Sequence, residues 1–142
     1  MAQTKTVLVT GADRGLGLAL CAGLLEQGWI VFAGQFLSEW PELGALAAQH
    51  PGKLHILPMD VSDTESVRQA ARQVTGLTSH LDLLISNAGI THPNMMRTIR
   101  EEQDYDGIQQ MYNVNAVGAL RVVEAFLPLL DQGSLKRLCF VS

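Results

Sequence analysis

The chain has little with which to bind a metal or to form a disulfide. It holds only two cysteines, Cys21 and Cys139, and four histidines. The histidines (His50, His55, His80 and His92) are scattered, with no i,i+3 or i,i+4 pairing and no cysteine pair beside them, which argues against a metal site. Cys21 falls in a predicted helix and Cys139 in a predicted central strand; both read as small buried hydrophobes in a reducing compartment. Basic charge is scarce too. A net charge of −4 without any Lys/Arg run gives no electrostatic reason to expect nucleic acid or a membrane surface as partner. No apolar stretch approaches the roughly 20 residues that span a bilayer. Met1-Ala2-Gln3-Thr4-Lys5 runs directly into a strand with no signal-peptide core, so the expected location is the cytoplasm. Repeats, low-complexity tracts and linkers are missing as well.

What is present is a compact composition, 47% hydrophobic and 17% charged over 142 residues, enough for one core. Thr6-Val7-Leu8-Val9 is a β-branched, apolar run that predicts a buried strand. Thr10-Gly11-Ala12-Asp13-Arg14-Gly15-Leu16-Gly17 follows, then a helix with Leu16, Leu20 and Leu24 on one face. In such a turn Gly11 permits a tight bend, Gly15 lets backbone approach a phosphate, and Gly17 lets helix and strand pack closely. The helix N-terminus offers N–H groups and a positive dipole end to a pyrophosphate.

Further on, strands and helices alternate. Gly28 is a helix stop, and strands are predicted at Trp29–Ala33, Leu54–Leu57, Leu81–Ser86 and Arg137–Val141. Helices are expected at Pro41–Ala48, from a capping box Ser62-Asp63-Thr64-Glu65 with Ser62 as cap to about Thr75, and from about Tyr105 to Phe126, ended by Pro128. Strands separated by helices need crossovers, so the sheet is parallel. The prediction is a Rossmann-like doubly wound α/β fold of order 3-2-1-4-5, breaking off after the fifth strand.

Three further places fall at the carboxyl edge of that sheet or beside it. Asp60-Val61 follows the third strand, where the carboxylate suits an adenine amino group and Val61 its ring. Asn87-Ala88-Gly89 ends the fourth strand; Ala88 and Gly89 leave room for a ribose, and Asn87 can tie the strand end to its neighbours. Asn115 lies inside the long helix, where Asn is a poor helix former and, if buried, needs an explanation, whereas Asn113 suits a wet face. Gln35 and Phe36, at the end of the second strand, are neither acidic nor basic. Arg14 could reach a ribose 2′-phosphate as a bidentate donor, which favours NADP, with NAD the alternative.

The TGxxxGxG form of the loop, with Asp60-Val61, Asn87-Ala88-Gly89 and Asn115 in order, resembles the short-chain dehydrogenase/reductase family over essentially the whole chain. Ser86 departs from the family's usual NNAG. The resemblance implies a nicotinamide cofactor held by Gly11, Asp13, Arg14, Gly15, Leu16, Gly17, Asp60, Val61, Asn87, Ala88, Gly89 and Ser142. It implies that Asn115 bends its helix and holds a water in a proton relay, and that the substrate is a small carbonyl or alcohol. It also implies a catalytic Ser and a Tyr-x-x-x-Lys pair beyond the fifth strand. Tyr105 is followed at that spacing by Gln109, and Tyr112 by Ala116. Ser142 resembles the first of the family's two serines there. The expectation is therefore a cofactor-binding portion, residues 1–142, inactive alone and homo-oligomeric when full length. Asp104-Tyr105-Asp106 and the Gly118–Leu130 run look like the subgroup of C-signal-like proteins and small carbonyl reductases. A non-catalytic nucleotide sensor or signalling module on the same fold is the alternative.

Overall fold

In the computed structural model, which describes residues 3–142, a five-stranded parallel sheet runs in the order β3-β2-β1-β4-β5. The strands are β1 (Thr6–Val9), β2 (Ile30–Gln35), β3 (Leu54–Pro58), β4 (Leu83–Ser86) and β5 (Arg137–Phe140). The helices are α1 (Gly15–Glu26), α2 (Glu42–Gln49), α3 (Thr64–Thr75), α4 (Tyr105–Tyr112) and α5 (Gly118–Asp131), with a π-helical turn, Asn113–Val117, joining the last two.

Alternation along the strands sorts the core into two layers. Leu8, Phe32 and Leu84 face one side, where they meet Val67, Val74, Val122 and Phe126 of α3 and α5. Val7, Val9, Val31, Ala33 and Ile85 face the other, against Cys21 and Leu25 of α1 and Leu43 of α2. Each layer buries side chains of both sheet and helix, and that shared burial holds the crossovers on their faces. At the amino edge, Asp82 (2% exposed) draws three elements together. Its Oδ2 accepts from the Thr6 N–H, and its Oδ1 accepts from the N–H and hydroxyl of Ser134, all at 3.0 Å.

Four local expectations are corrected. Helix α1 buries Gly17, Cys21 and Leu25, one position on from the Leu16/Leu20/Leu24 stripe, and Leu16 is 54% exposed. The helix is apolar around most of its circumference, so spacing alone does not select its inner face. The cap of α3 is Asp63, whose carboxylate accepts from the N–H groups of Glu65 and Ser66; Ser62 bonds back to Asp60 instead. Pro128 does not end the last helix, which continues to Asp131. Pro128 and Glu124 are both exposed, so the carbonyl that loses its partner can be solvated, while Leu129 and Leu130 bury the final turn. Among the described residues strand β5 pairs only with β4, at the sheet edge, and it is exposed throughout, so Cys139 is exposed and not buried.

The continuous helical stretch Tyr105–Asp131, 27 residues with a mean hydropathy of 1.3 over its most apolar window, is long and apolar enough to cross a membrane. That corrects the expectation that no stretch reaches this length. Here Val122, Phe126, Leu129 and Leu130 pack one face of it into the core, while 28% of its most apolar window is buried and Ile108, Leu120 and Leu127 are exposed.

Candidate functional site: a glycine-lined groove at the carboxyl edge

The order of the sheet reverses between β1 and β4, and two adjoining cavities of about 450 and 650 Å³ open where the loops after these strands part. Both are lined by Arg14, Asn87, Ala88, Gly89 and Ile90. The first extends to Phe36, Asp60 and Val61; the second reaches Thr91, Asn115 and Ser142. An elongated ligand with two different ends suits this shape.

The junction under the groove is backbone packed on backbone. Gly11 has φ +61°, and a Cβ there would stand 2.8 Å from the Ala88 Cα. A Cβ on Gly17 would overlap the Gly11 carbonyl oxygen and lie 2.6 Å from Asn87 Nδ2. Asn87 Nδ2 donates to the carbonyls of Thr10 and Gly11, at 3.2 and 3.1 Å. The buried Thr10 hydroxyl accepts from the N–H groups of Asn87 and Ala88, both at 3.0 Å. Gly15, with φ +57°, has open space where its Cβ would be. Among the described residues no side chain caps the N-terminus of α1, and Gly15 at that terminus lines the first cavity, which leaves the first N–H groups of the helix free for a ligand there. The residues present therefore fit a phosphate, with close approach permitted and donors unspent.

At the first cavity's end, Asp13 is 5% exposed and its carboxylate accepts from the N–H groups of Phe36 and Leu37. It therefore fastens the end of β2 to the glycine loop. Arg14 is exposed, with its guanidinium 5.1 Å from the Trp40 ring centre, a cation–π contact at the rim. Asp60 Oδ1 accepts from the Ser62 N–H at 2.9 Å and hydroxyl at 2.6 Å; Oδ2 has no partner among the described residues. Val61 is 7% exposed and packs beside Gly118. Leu16 projects from α1 outside both cavities' linings.

At the second cavity's end, Asn115 is exposed and not buried, whereas Asn113 is half-buried; the expected assignment of the two is reversed. Asn115 Oδ1 accepts from the Ile90 N–H at 2.8 Å, and its Nδ2 donates to the Ile90 carbonyl at 2.9 Å. Each amide atom keeps one further hydrogen-bonding valence. The extra residue of the π turn is what distorts the helix here. Thr10, which holds the Asn87 and Ala88 amides, and Arg121, which bonds Val61, Thr64 and Asn113, were missed in the sequence. Thr10 stood within the glycine motif, but nothing local to Arg121 signals partners some sixty positions away.

An open parallel α/β sheet with a glycine loop at its topological switch point defines the class of nucleotide-binding Rossmann-like proteins. Comparison of sequences makes the class specific. Residues 5–142 match the family model described as short chain dehydrogenase, and the chain belongs to that family. It is 33% identical over 140 residues to an uncharacterized oxidoreductase of Schizosaccharomyces pombe, covering 97% of this chain and 54% of that protein. It is similar to the solved NADPH-bound carbonyl reductase from chicken fatty liver, with a TM-score of 0.81 and 37% identity over 92% of this chain and 53% of that one. The Pseudomonas aeruginosa RhlG/NADP complex is similar as well, with a TM-score of 0.79 and 28% identity over 90% of this chain and 48% of that one. The chain spans about half the length of the curated relatives it matches.

Proposed function

We propose that this chain is the cofactor-binding portion of an NADP-dependent oxidoreductase that moves a hydride between a nicotinamide and a carbonyl or alcohol. The observation that carries the proposal is the Gly11–Gly17–Asn87–Ala88 junction. Loop, helix and β4 end approach closer than any Cβ allows, below a groove that continues to Asp60-Val61 one way and Asn115 the other. The bound forms of two similar structures, one with NADPH and one with NADP, support the same ligand for this groove.

In this reading the N–H groups of α1 and the backbone at Gly15 hold the pyrophosphate. Asp60 Oδ2 accepts from the adenine amino group, and Val61 supports its ring. Ala88 and Gly89 accommodate a ribose, and Asn115 uses its remaining valences to hold a water of the proton relay. Ser142 lies in the second cavity, beside the reacting end. When bound, the nicotinamide supplies or accepts the hydride. A proton donor of the Tyr-x-x-x-Lys kind does not occur within these 142 residues, so we expect no turnover from them alone.

Arg14 is the residue we assign to the 2′-phosphate, since Gln35 and Phe36 at the end of β2 offer no acid for a 2′-hydroxyl. Calorimetric titration of NADPH and NADH tests this. Arg14→Ala should weaken NADPH roughly 10–100-fold, the worth of a charge-assisted contact, and leave NADH nearly unchanged. Equal losses for both cofactors would remove Arg14 from the 2′-site.

A further inference from the structure

Helix α5 meets the turn after β3 at two positions one helical turn apart. Gly118 brings the backbones together, since a Cβ there would stand 3.0 Å from both Val61 Cγ2 and the Val61 carbonyl oxygen. Arg121 then reaches over the contact, and all three of its guanidinium nitrogens are used. Nε donates to the Thr64 hydroxyl at 2.9 Å, Nη1 to the Val61 carbonyl, and Nη2 to Asn113 Oδ1 at 2.9 Å. Asn113 Nδ2 completes the loop by donating to the Ser62 carbonyl at 3.4 Å.

These partners lie in separate parts of the groove's frame. Val61 lines the first cavity, Thr64 begins α3, and Asn113 opens the π turn that carries Asn115 of the second cavity. A planar guanidinium holds three acceptors in one rigid fork, which a lysine's single ammonium on a flexible stem does not. Asn113 sits opposite Arg121 because of the extra residue in the π turn, whose i→i+5 bond joins the Gly118 N–H to the Asn113 carbonyl.

We propose that Arg121 is a positioning residue for the nucleotide groove, setting the Asp60-Val61 turn against the π turn that presents Asn115. It touches no ligand; it acts by holding the turn that does. The inference rests on the cofactor reading above, in that Asp60 and Val61 meet the adenine.

The test uses the 142-residue chain with AMP as an adenine-only probe, and hydrogen exchange as a readout independent of ligand. Arg121→Met keeps an unbranched apolar stem and removes the donors. It should weaken AMP about 10-fold well below its melting temperature. Amide exchange should rise together in residues 60–64 and 113–117, while the glycine loop, residues 11–17, stays as in wild type. Arg121→Lys should recover part of both effects. If Arg121→Met is too unstable, Asn113→Ala removes one arm and should raise exchange in residues 113–117 with a smaller loss of AMP affinity. Wild-type AMP affinity in folded Arg121→Met, or a uniform rise in exchange across the chain, would overturn the proposal. Failure of the wild-type chain to bind either AMP or NADPH would instead overturn the cofactor reading, and the exchange pattern would still decide whether Arg121 holds the two turns together.

Discussion

Substituting alanine at three glycines of one segment separates three physical roles. Gly23 lies inside α1 with nothing within 4 Å of its Cβ position and an ordinary backbone. Gly23→Ala should stabilise by about 0.5–1 kcal/mol, the helix-interior difference between the two residues. Gly15 also has open space, but its φ of +57° is left-handed, so Gly15→Ala should cost about 1–2 kcal/mol in backbone strain. At Gly17 the new Cβ overlaps the Gly11 carbonyl oxygen and crowds Asn87 Nδ2, and backbone has to move. Overpacking of that kind costs about 1–3 kcal/mol. Disturbing the Asn87 hydrogen bonds to Thr10 and Gly11 adds about 1 kcal/mol. Near this chain length 1 kcal/mol moves Tm by about 2–4 °C, so Gly17→Ala should melt roughly 5–15 °C below wild type. Circular dichroism melts give the order, and NADPH titration at a temperature where all variants are folded gives the second readout. Gly17→Ala should bind at least about 10-fold more weakly, because the loop that displays the α1 N–H groups is the part displaced. A Gly17→Ala variant as stable as Gly23→Ala, with wild-type affinity, would refute the close approach on which the site is built.

The Asp82 carboxyl is pushed up by burial, but hydrogen bonds from the Thr6 N–H and from Ser134, with the charge of nearby His80, more than reverse this and leave it below its ordinary value of 3.8. The unfolded chain therefore takes up this proton at higher pH than the folded one. The carboxylate's contribution is complete above that ordinary value and is lost as pH falls through the folded one. Asp82→Asn should cost about 1–3 kcal/mol at neutral pH and flatten the acid limb of a denaturation-versus-pH profile; an unchanged limb would show that Asp82 does not govern it. Burial pushes the Cys21 thiol up to about 12, whereas Cys139 is exposed. Alkylation of the native chain near neutral pH should modify Cys139 first, with Cys21 reacting only on unfolding, and mass spectrometry of the labelled peptides would detect the reverse.

Much of the fold was legible in the sequence because its signals are local. Alternating β-branched runs and helical spacing specified five strands, their parallel pairing and the order 3-2-1-4-5. The glycine spacing located the loop at the switch point, and Gly17 was read as a packing glycine from its place between strand and helix. What failed depended on surroundings. The inner face of α1, the exposure of Cys139, the continuation of the last helix past Pro128 and the reversal of Asn113 and Asn115 all turn on which neighbour covers which side. No window of sequence contains that neighbour.

The site divides in the same way. Gly11, Asp60 and Asn87 stand out by residue type just beyond strand ends, and Asn115 as a poor helix former inside a long helix. The tertiary structure alone decided that Asp13 clamps the β2 end, that the Thr10 hydroxyl serves the two amides just beyond β4, and that Arg121 joins the Val61 turn to the π turn. Apart from the Arg121–Asn113 bond within the helix, those contacts span some 20 to 80 positions of chain, and hydrogen bonds of that reach form only after burial of the two apolar layers has brought the strands into register.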